Sequence, residues 1–182
     1  MNKVIIFPTD TVYGIGCDIF DLEGIERIYK IKNRSKDKPL ACLCADIKQI
    51  EDIAYLSEDA RKLINLFLPG PLTIILKSKP IVLDKIGYKT IGVRIPNNKI
   101  ALDILKEHGP MLTTSVNESG NVPLNEYDDI KANYNHLVDY IYNTNTKSSN
   151  ISSTVVDLTD NRLRILRIGE IPLLSIEKAL NI

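Results

Sequence analysis

The chain has 182 residues, enough for one domain at roughly 150 residues each, and 44% of them are apolar, enough to bury a sizeable core. Its 23 Lys and Arg balance its 23 Asp and Glu, so no global field draws it to nucleic acid or membrane surfaces, and 25% charged residues with 9 Gly and 9 Pro exclude disorder, collagen and coiled coil. Three cysteines (Cys17, Cys42, Cys44) in apolar surroundings predict reduced thiols in the cytoplasm, and two histidines without zinc-ligand spacing predict no protein-held metal. No run reaches the roughly 18 apolar residues of a membrane span.

In chain order, the apolar run at 4–7 ended by Pro8 predicts a buried strand, and the Thr-, Asp- and Gly-bearing stretch after it a loop. Leu22, Ile25, Ile28 and Tyr29 recur at helical spacing behind an Asp21 cap, in a helix that should fail before Asn33. A strand is expected over 39–45. A helix capped by Ser57 then runs through Phe67 to the Pro69-Gly70-Pro71 breaker, and a strand over 72–76 follows. Strands at 90–95 and 111–115 flank a helix capped by Asn97 and closed at Gly109, and 153–158 with 162–168 read as a hairpin around Thr159-Asp160-Asn161. This alternation predicts one α/β domain over 1–182, with the hairpin and the long connections at 116–126 and 143–152 making the twisted sheet mixed rather than parallel.

Between Lys30 and Lys38 there are five cations and one anion, and on an extended chain the i, i+2 spacing of Lys32, Arg34, Lys36 and Lys38 sets their heads on one side. Such a row suits a polyanion such as a triphosphate, Arg gripping two oxygens and Lys acting as a point charge. A solvated basic loop is the alternative. Glycine-loop phosphate motifs are absent, so a bound nucleotide must rely on side-chain cations and hydroxyls. Ser115 and Asn117 lie at a strand end, where open α/β sheets present ligand-binding groups, although a plain turn fits the same composition. Ser153 opens a strand, and Arg167 precedes a turn glycine. Arg94, amid apolar neighbours, needs a partner or an aqueous pocket. A nucleophile triad would have to use His108 or His136, at a helix end and on the surface, and hydrolase chemistry is disfavoured.

Together, Phe7-Pro8-Thr9-Asp10-Thr11-Val12-Tyr13-Gly14-Ile15-Gly16-Cys17-Asp18, Lys32-x-Arg34 with Lys38-Pro39-Leu40, Pro69-Gly70-Pro71-Leu72-Thr73, Val93-Arg94-Ile95-Pro96, Ser115-x-Asn117-x-Ser119-Gly120, Ser153-Thr154-Val155-Val156-Asp157 and Leu166-Arg167-x-Gly169 resemble the YrdC-like family of threonylcarbamoyl-AMP synthases. The resemblance implies an open twisted sheet with a large concave cleft. It also implies a reaction in which L-threonine, bicarbonate and ATP, with Mg2+ accompanying the nucleotide, give threonylcarbamoyl-AMP and pyrophosphate for tRNA modification. By the same resemblance Lys32 and Arg34 are catalytic, and Arg34, Lys38, Thr90, Asn117, Asn125 and Arg167 bind ATP. Thr11, Arg94, Ser115 and Ser153 then hold threonine. Downstream threonylcarbamoyl-transfer proteins are the implied partners. Leu43 stands where many synthases carry a histidine, and with the stretch 89–94 it is similar to the YciO-like paralogues. A nucleotide-binding paralogue, or a module holding tRNA or double-stranded RNA in the cleft, is the alternative function.

Overall fold

The computed structural model describes residues 3–144, 148–160 and 162–182. Among the described residues nine strands form one mixed sheet: β1 (Ile5–Phe7), β2 (Gly14–Asp18), β3 (Ala41–Leu43), β4 (Leu72–Lys77), β5 (Thr90–Arg94), β6 (Met111–Ser115), β7 (Tyr140–Ile141), β8 (Thr154–Asp157) and β9 (Arg164–Arg167). Their spatial order is β7-β1-β2-β6-β3-β5-β4-β8-β9. The pairs β1/β7, β3/β5 and β4/β8 are parallel, and the remaining pairs antiparallel. The helices are α1 (Leu22–Ile31), α2 (Ile47–Ile53), α3 (Glu58–Phe67), α4 (Pro80–Ile86), α5 (Lys99–His108), α6 (Tyr127–Tyr134) and α7 (Leu173–Leu180).

Successive strand residues point to opposite faces, and this alternation sorts core from cleft. Ile6, Ile15, Cys42, Ile74, Val93, Leu112 and Val156 join the main core, together with the buried residues of every helix except α5. The opposite face carries Ile5, Phe7, Leu43 and Met111, which pack under Ala101, Ile104 and Leu105 of α5. Helix α5 therefore covers only one end of that face. The strands beyond it present Gly14, Thr113, Ala41, Gly92, Thr73 and Val155 to an open concavity.

The caps explain why several helices begin where they do. Asp21 accepts from the Gly24 amide at 2.9 Å, and Ser57 accepts from Ala60 at 3.2 Å, as expected. In α5 the cap is Asn98, which accepts from Ala101 at 3.2 Å, rather than Asn97, whose amide bonds Asp10. A larger correction concerns residues 14–18. The glycines that suggest a loop belong to β2, because a Cβ on Gly14 would fall 2.6 Å from Thr113 Cγ2 and one on Gly16 2.7 Å from Thr113 Oγ1. Close packing against β6 excludes a side chain there. Helices α2, α4, α6 and α7 and strand β7 were not anticipated. Strands β8 and β9 pair antiparallel as expected, with a bulge between Val155 and Val156, and Asn161 of their turn lies outside the described residues.

A Cβ at Gly169 would fall against the Ser152 carbonyl oxygen and 2.6 Å from the Thr154 amide nitrogen, and backbone atoms cannot step aside as a flexible side chain can. Gly169→Ala is therefore expected to cost about 1–3 kcal/mol by overpacking. Urea titration would show this as a lower midpoint at unchanged slope.

Candidate active site

The concavity holds about 310 Å³ and is lined by one face of β2, β3, β4, β5, β6, β8 and β9. Its chemistry falls into four clusters.

At one end Arg94, on β5 and 6% exposed, donates from Nε to Gly70 O at 3.0 Å, from Nη1 to Thr11 Oγ1 at 2.8 Å and from Nη2 to Asp10 Oδ1 at 2.6 Å. Thr9 donates its hydroxyl proton to Val12 O at 2.6 Å, so in the 3.1 Å Thr9–Thr11 pair Thr11 is the donor. The partner that the buried Arg94 needs is thus Asp10: its side chain is 16% exposed, and its carboxylate also receives the Asn97 amide at 3.1 Å. Burial pulls the Arg94 pKa down, and the nearby Asp10 charge opposes that pull.

Across the sheet, Arg167 donates to Ser153 O at 3.0 Å and to Ser153 Oγ at 3.1 Å. Ser153 lies 2.8 Å from Thr73 Oγ1, a hydroxyl pair bridging the start of β8 and β4. Burial also lowers the Arg167 pKa. Gly92 keeps the floor open between these clusters, since its missing Cβ would stand 3.3 Å from Thr73 Cγ2.

The third cluster corrects the expected row of cations. Lys32 is not on an extended segment; it caps α1 in helical conformation, is 1% exposed, and turns inward. Its ammonium donates to Ser115 O at 2.5 Å, Asn117 O at 2.7 Å and Asn117 Oδ1 at 2.8 Å, using all three of its N–H groups. Ser115 Oγ donates to the same Asn117 Oδ1 at 2.7 Å, and Asn117 Nδ2 donates to Asn121 O at 2.6 Å. Burial first, and the Arg34 charge second, push the Lys32 ammonium down to about 8. Positive φ at Asn33 then reverses the chain, and a turn closes from Lys38 N to Ser35 O at 3.2 Å. Lys36 faces outward to Glu26 at 2.7 Å, and Lys38 is exposed.

Arg34, the fourth element, lines the cleft. Its Nε donates to Lys38 O at 2.8 Å and its Nη2 to Pro39 O at 3.2 Å.

Of the expected site residues, Thr11, Arg34, Arg94, Ser115, Ser153 and Arg167 meet in the cleft wall. Lys32 and Asn117 stand directly behind Ser115. Thr90 shares a strand face with Gly92 and Arg94 but lies in the neighbouring groove, beyond Pro39. Asn125 is drawn into scaffolding: it accepts from the Tyr13 amide at 2.9 Å and donates to Ser148 Oγ and Asn150 Oδ1. Leu43 lines the cleft and is 5% exposed. Thr9, Asp10 and Thr73 were missed as partners of the site, although all three fall within motifs quoted above. Cys17, Cys42 and Cys44 are free and buried in the core. Among the described residues no cluster of three or more His, Cys, Asp or Glu could hold a metal ion, and no helix is long and apolar enough to cross a membrane.

The fold and the cleft together define an open-sheet α/β protein whose concave face is lined by arginines and hydroxyls. The Sua5/YciO/YrdC family model, described as "Telomere recombination", matches residues 1–169, and the chain belongs to that family. It is 36% identical, over 94% of its own length and 82% of the relative's, to a putative threonylcarbamoyl-AMP synthase of Methanocaldococcus jannaschii. It is 33% identical to the threonylcarbamoyl-AMP synthase of Bacillus subtilis, over 97% of this chain and 52% of that one. The crystal structure of Pyrococcus abyssi Sua5 complexed with L-threonine superposes with a TM-score of 0.91 at 34% identity, over 98% of this chain and 54% of that one. Escherichia coli YciO gives 0.83 at 32% identity, over 92% of this chain and 83% of that one. The chain thus spans about half the length of the B. subtilis and P. abyssi proteins.

Proposed function

We propose that the protein is an L-threonylcarbamoyladenylate synthase acting in the cytoplasm. The observation that carries the reading is a single cleft with Arg94 and Thr11 at one end and Arg34 at the other, in a fold closely similar to a Sua5 solved with L-threonine. In the proposed reaction the threonine amine adds to bicarbonate carbon with loss of water, giving an N-carboxylate. An oxygen of that carboxylate then attacks the α-phosphorus of ATP, and the bond to pyrophosphate breaks.

Arg94, Thr11, Ser115 and Ser153 are assigned to threonine, Arg94 receiving its carboxylate. Arg34 and Arg167 are assigned to the phosphates, with Lys38, Thr90, Asn117 and Asn125 on the nucleotide side. Lys32 contributes charge and holds Ser115 and Asn117 in place, so its part is positional rather than direct contact. Mg2+ would enter with ATP as part of the substrate, and the Asp10 carboxylate, committed to Arg94, would not hold it. Rate enhancement comes from orientation and fixed positive charge. The product passes to threonylcarbamoyl-transfer proteins for tRNA modification.

Pyrophosphate release by purified protein, with L-threonine or bicarbonate supplied or withheld, tests this, with mass detection of the adenylate. Release that requires all three substrates is expected. The apolar Leu43 in the cleft and the likeness to YciO favour one second reading, a paralogue that binds nucleotide without turnover. Nucleotide binding with no threonine-dependent release would select it. Direct binding of tRNA or double-stranded RNA would reveal itself by affinity that falls steeply with salt.

A further inference from the structure

Two phenols outside the cleft share a hydrogen-bond chain that ends on the turn holding Arg34. Tyr29, on α1, donates its hydroxyl to Lys38 O at 3.1 Å. A phenol has one proton, so in the 3.0 Å contact between Tyr29 and Tyr88 the donor must be Tyr88. Tyr88, between the left-handed Gly87 cap of α4 and β5, in turn accepts from the Leu40 amide at 3.3 Å. The order is therefore Leu40 N–H to Tyr88, Tyr88 to Tyr29, and Tyr29 to Lys38 O.

The chain's endpoints sit on the two peptide groups that flank Pro39. The Lys38–Pro39 peptide is held through its oxygen and the Pro39–Leu40 peptide through its N–H. Arg34 takes the carbonyls of these same two peptides, Lys38 O at 2.8 Å and Pro39 O at 3.2 Å. Phenols and guanidinium thus hold the same turn, Tyr29 and Arg34 sharing the Lys38 carbonyl. The Nε–Nη2 edge of Arg34 is thereby fixed on backbone, and the Arg34 side chain also hydrogen-bonds the Tyr29 phenol.

We infer that Tyr29 and Tyr88 are positioning residues: as a relay they set the turn at Lys38-Pro39-Leu40 and so fix the orientation of the Arg34 guanidinium at the cleft wall. The effect on catalysis rests on the synthase reading, whereas the relay itself does not. Burial, and then the Tyr88 hydrogen bond, push the Tyr29 phenol well above its ordinary pKa, so Tyr29 keeps its proton across the physiological range. Hydrogen bonds in such a chain polarise one another, and cutting either phenol weakens the whole.

The test uses Tyr88→Phe and Tyr29→Phe, which keep ring volume and remove one oxygen each. The exchange protection of the Arg34 Nε–H, followed by NMR and assigned with Arg34→Lys, should fall about tenfold in each variant, the scale of one neutral hydrogen bond. KM for ATP should rise by a similar factor of about ten, with KM for threonine within about twofold of wild type, a split that general loosening of the fold does not produce. The double variant should match the more affected single, because the two oxygens act as one unit. Unchanged Nε–H protection in Tyr88→Phe overturns the relay, as does simple additivity in the double variant. If wild type gives no threonine-dependent pyrophosphate, the synthase reading fails and the exchange measurement still decides the relay. Tyr88→Phe carries the test alone if Tyr29→Phe does not fold.

Discussion

Replacing Lys32 with methionine is expected to lower threonine-dependent pyrophosphate release by about 10²–10³-fold, the scale of losing a preorganised electrostatic group. The basis is geometric. Three acceptors, Ser115 O, Asn117 O and Asn117 Oδ1, converge on one ammonium, and Asn117 Oδ1 so held in turn fixes Ser115 Oγ at the cleft wall. Without the ammonium each of these oxygens loses a donor, Asn117 Oδ1 keeping only Ser115 Oγ, and the segment after β6 relaxes. The stability cost is smaller, about 1–3 kcal/mol, since unsatisfied carbonyls are offset by removing a desolvated charge. Activity and thermal melting measured side by side separate the two effects: with 2–4 °C per kcal/mol for a domain of this size, Tm should fall by about 2–12 °C. Wild-type activity remaining in Lys32→Met would refute the role.

The same lysine gives a pH signature. With its folded pKa pushed down to about 8, Lys32 loses its charge as pH rises through 8, and turnover should decline above that point. Stability moves the other way. Between about 8 and the free-lysine value near 10.4 the unfolded chain binds the proton that the folded chain has lost, so the unfolding free energy gains from this group as pH rises. Its penalty is fully present below about 8 and is relieved above it. A falling rate without a matching loss of Lys32-linked stability distinguishes titration at the site from alkaline unfolding.

How far the sequence could show this depends on which signal each element carries. Strands β4, β5 and β6 announce themselves through apolar alternation, and α1 and α3 through caps and periodicity. Strand β2 does not, because its glycines answer to Thr113 on a strand almost a hundred residues later. Arg94 looked out of place in an apolar strand, and the alternation explains it: Ile91, Val93 and Ile95 face the core while Gly92 and Arg94 face the cleft. The basic run misled in the opposite way. Its i, i+2 spacing implied one charged side, but the helix continues to Lys32 and a turn follows, so one lysine is buried, one pairs outward with Glu26, and Arg34 reaches the cleft. Periodicity cannot reveal where a helix stops relative to a charge. Asp10 was legible only as a motif residue, since its partner stands 84 positions away.

That distant pairing sets the second large effect. Arg94→Met leaves the Asp10 carboxylate mostly buried without its counter-charge, and breaking such a pair costs about 3–5 kcal/mol, so Tm should drop by about 6–20 °C. Threonine binding should vanish with it. Asp10→Asn separates the two roles of Arg94, because an amide oxygen can still accept from Nη2 and from the Asn97 amide while the negative charge is gone. Of the five guanidinium N–H groups, Gly70, Thr11 and Asp10 take three, and two stay available for a carboxylate. In Asp10→Asn an incoming threonine carboxylate supplies the missing charge. The rise in Tm that saturating L-threonine produces should therefore be larger in this variant than in wild type, since ligand stabilisation grows with affinity. An equal or smaller threonine-induced rise would mean that Arg94 serves the fold alone, and that the amino-acid carboxylate is received by other groups in the cleft.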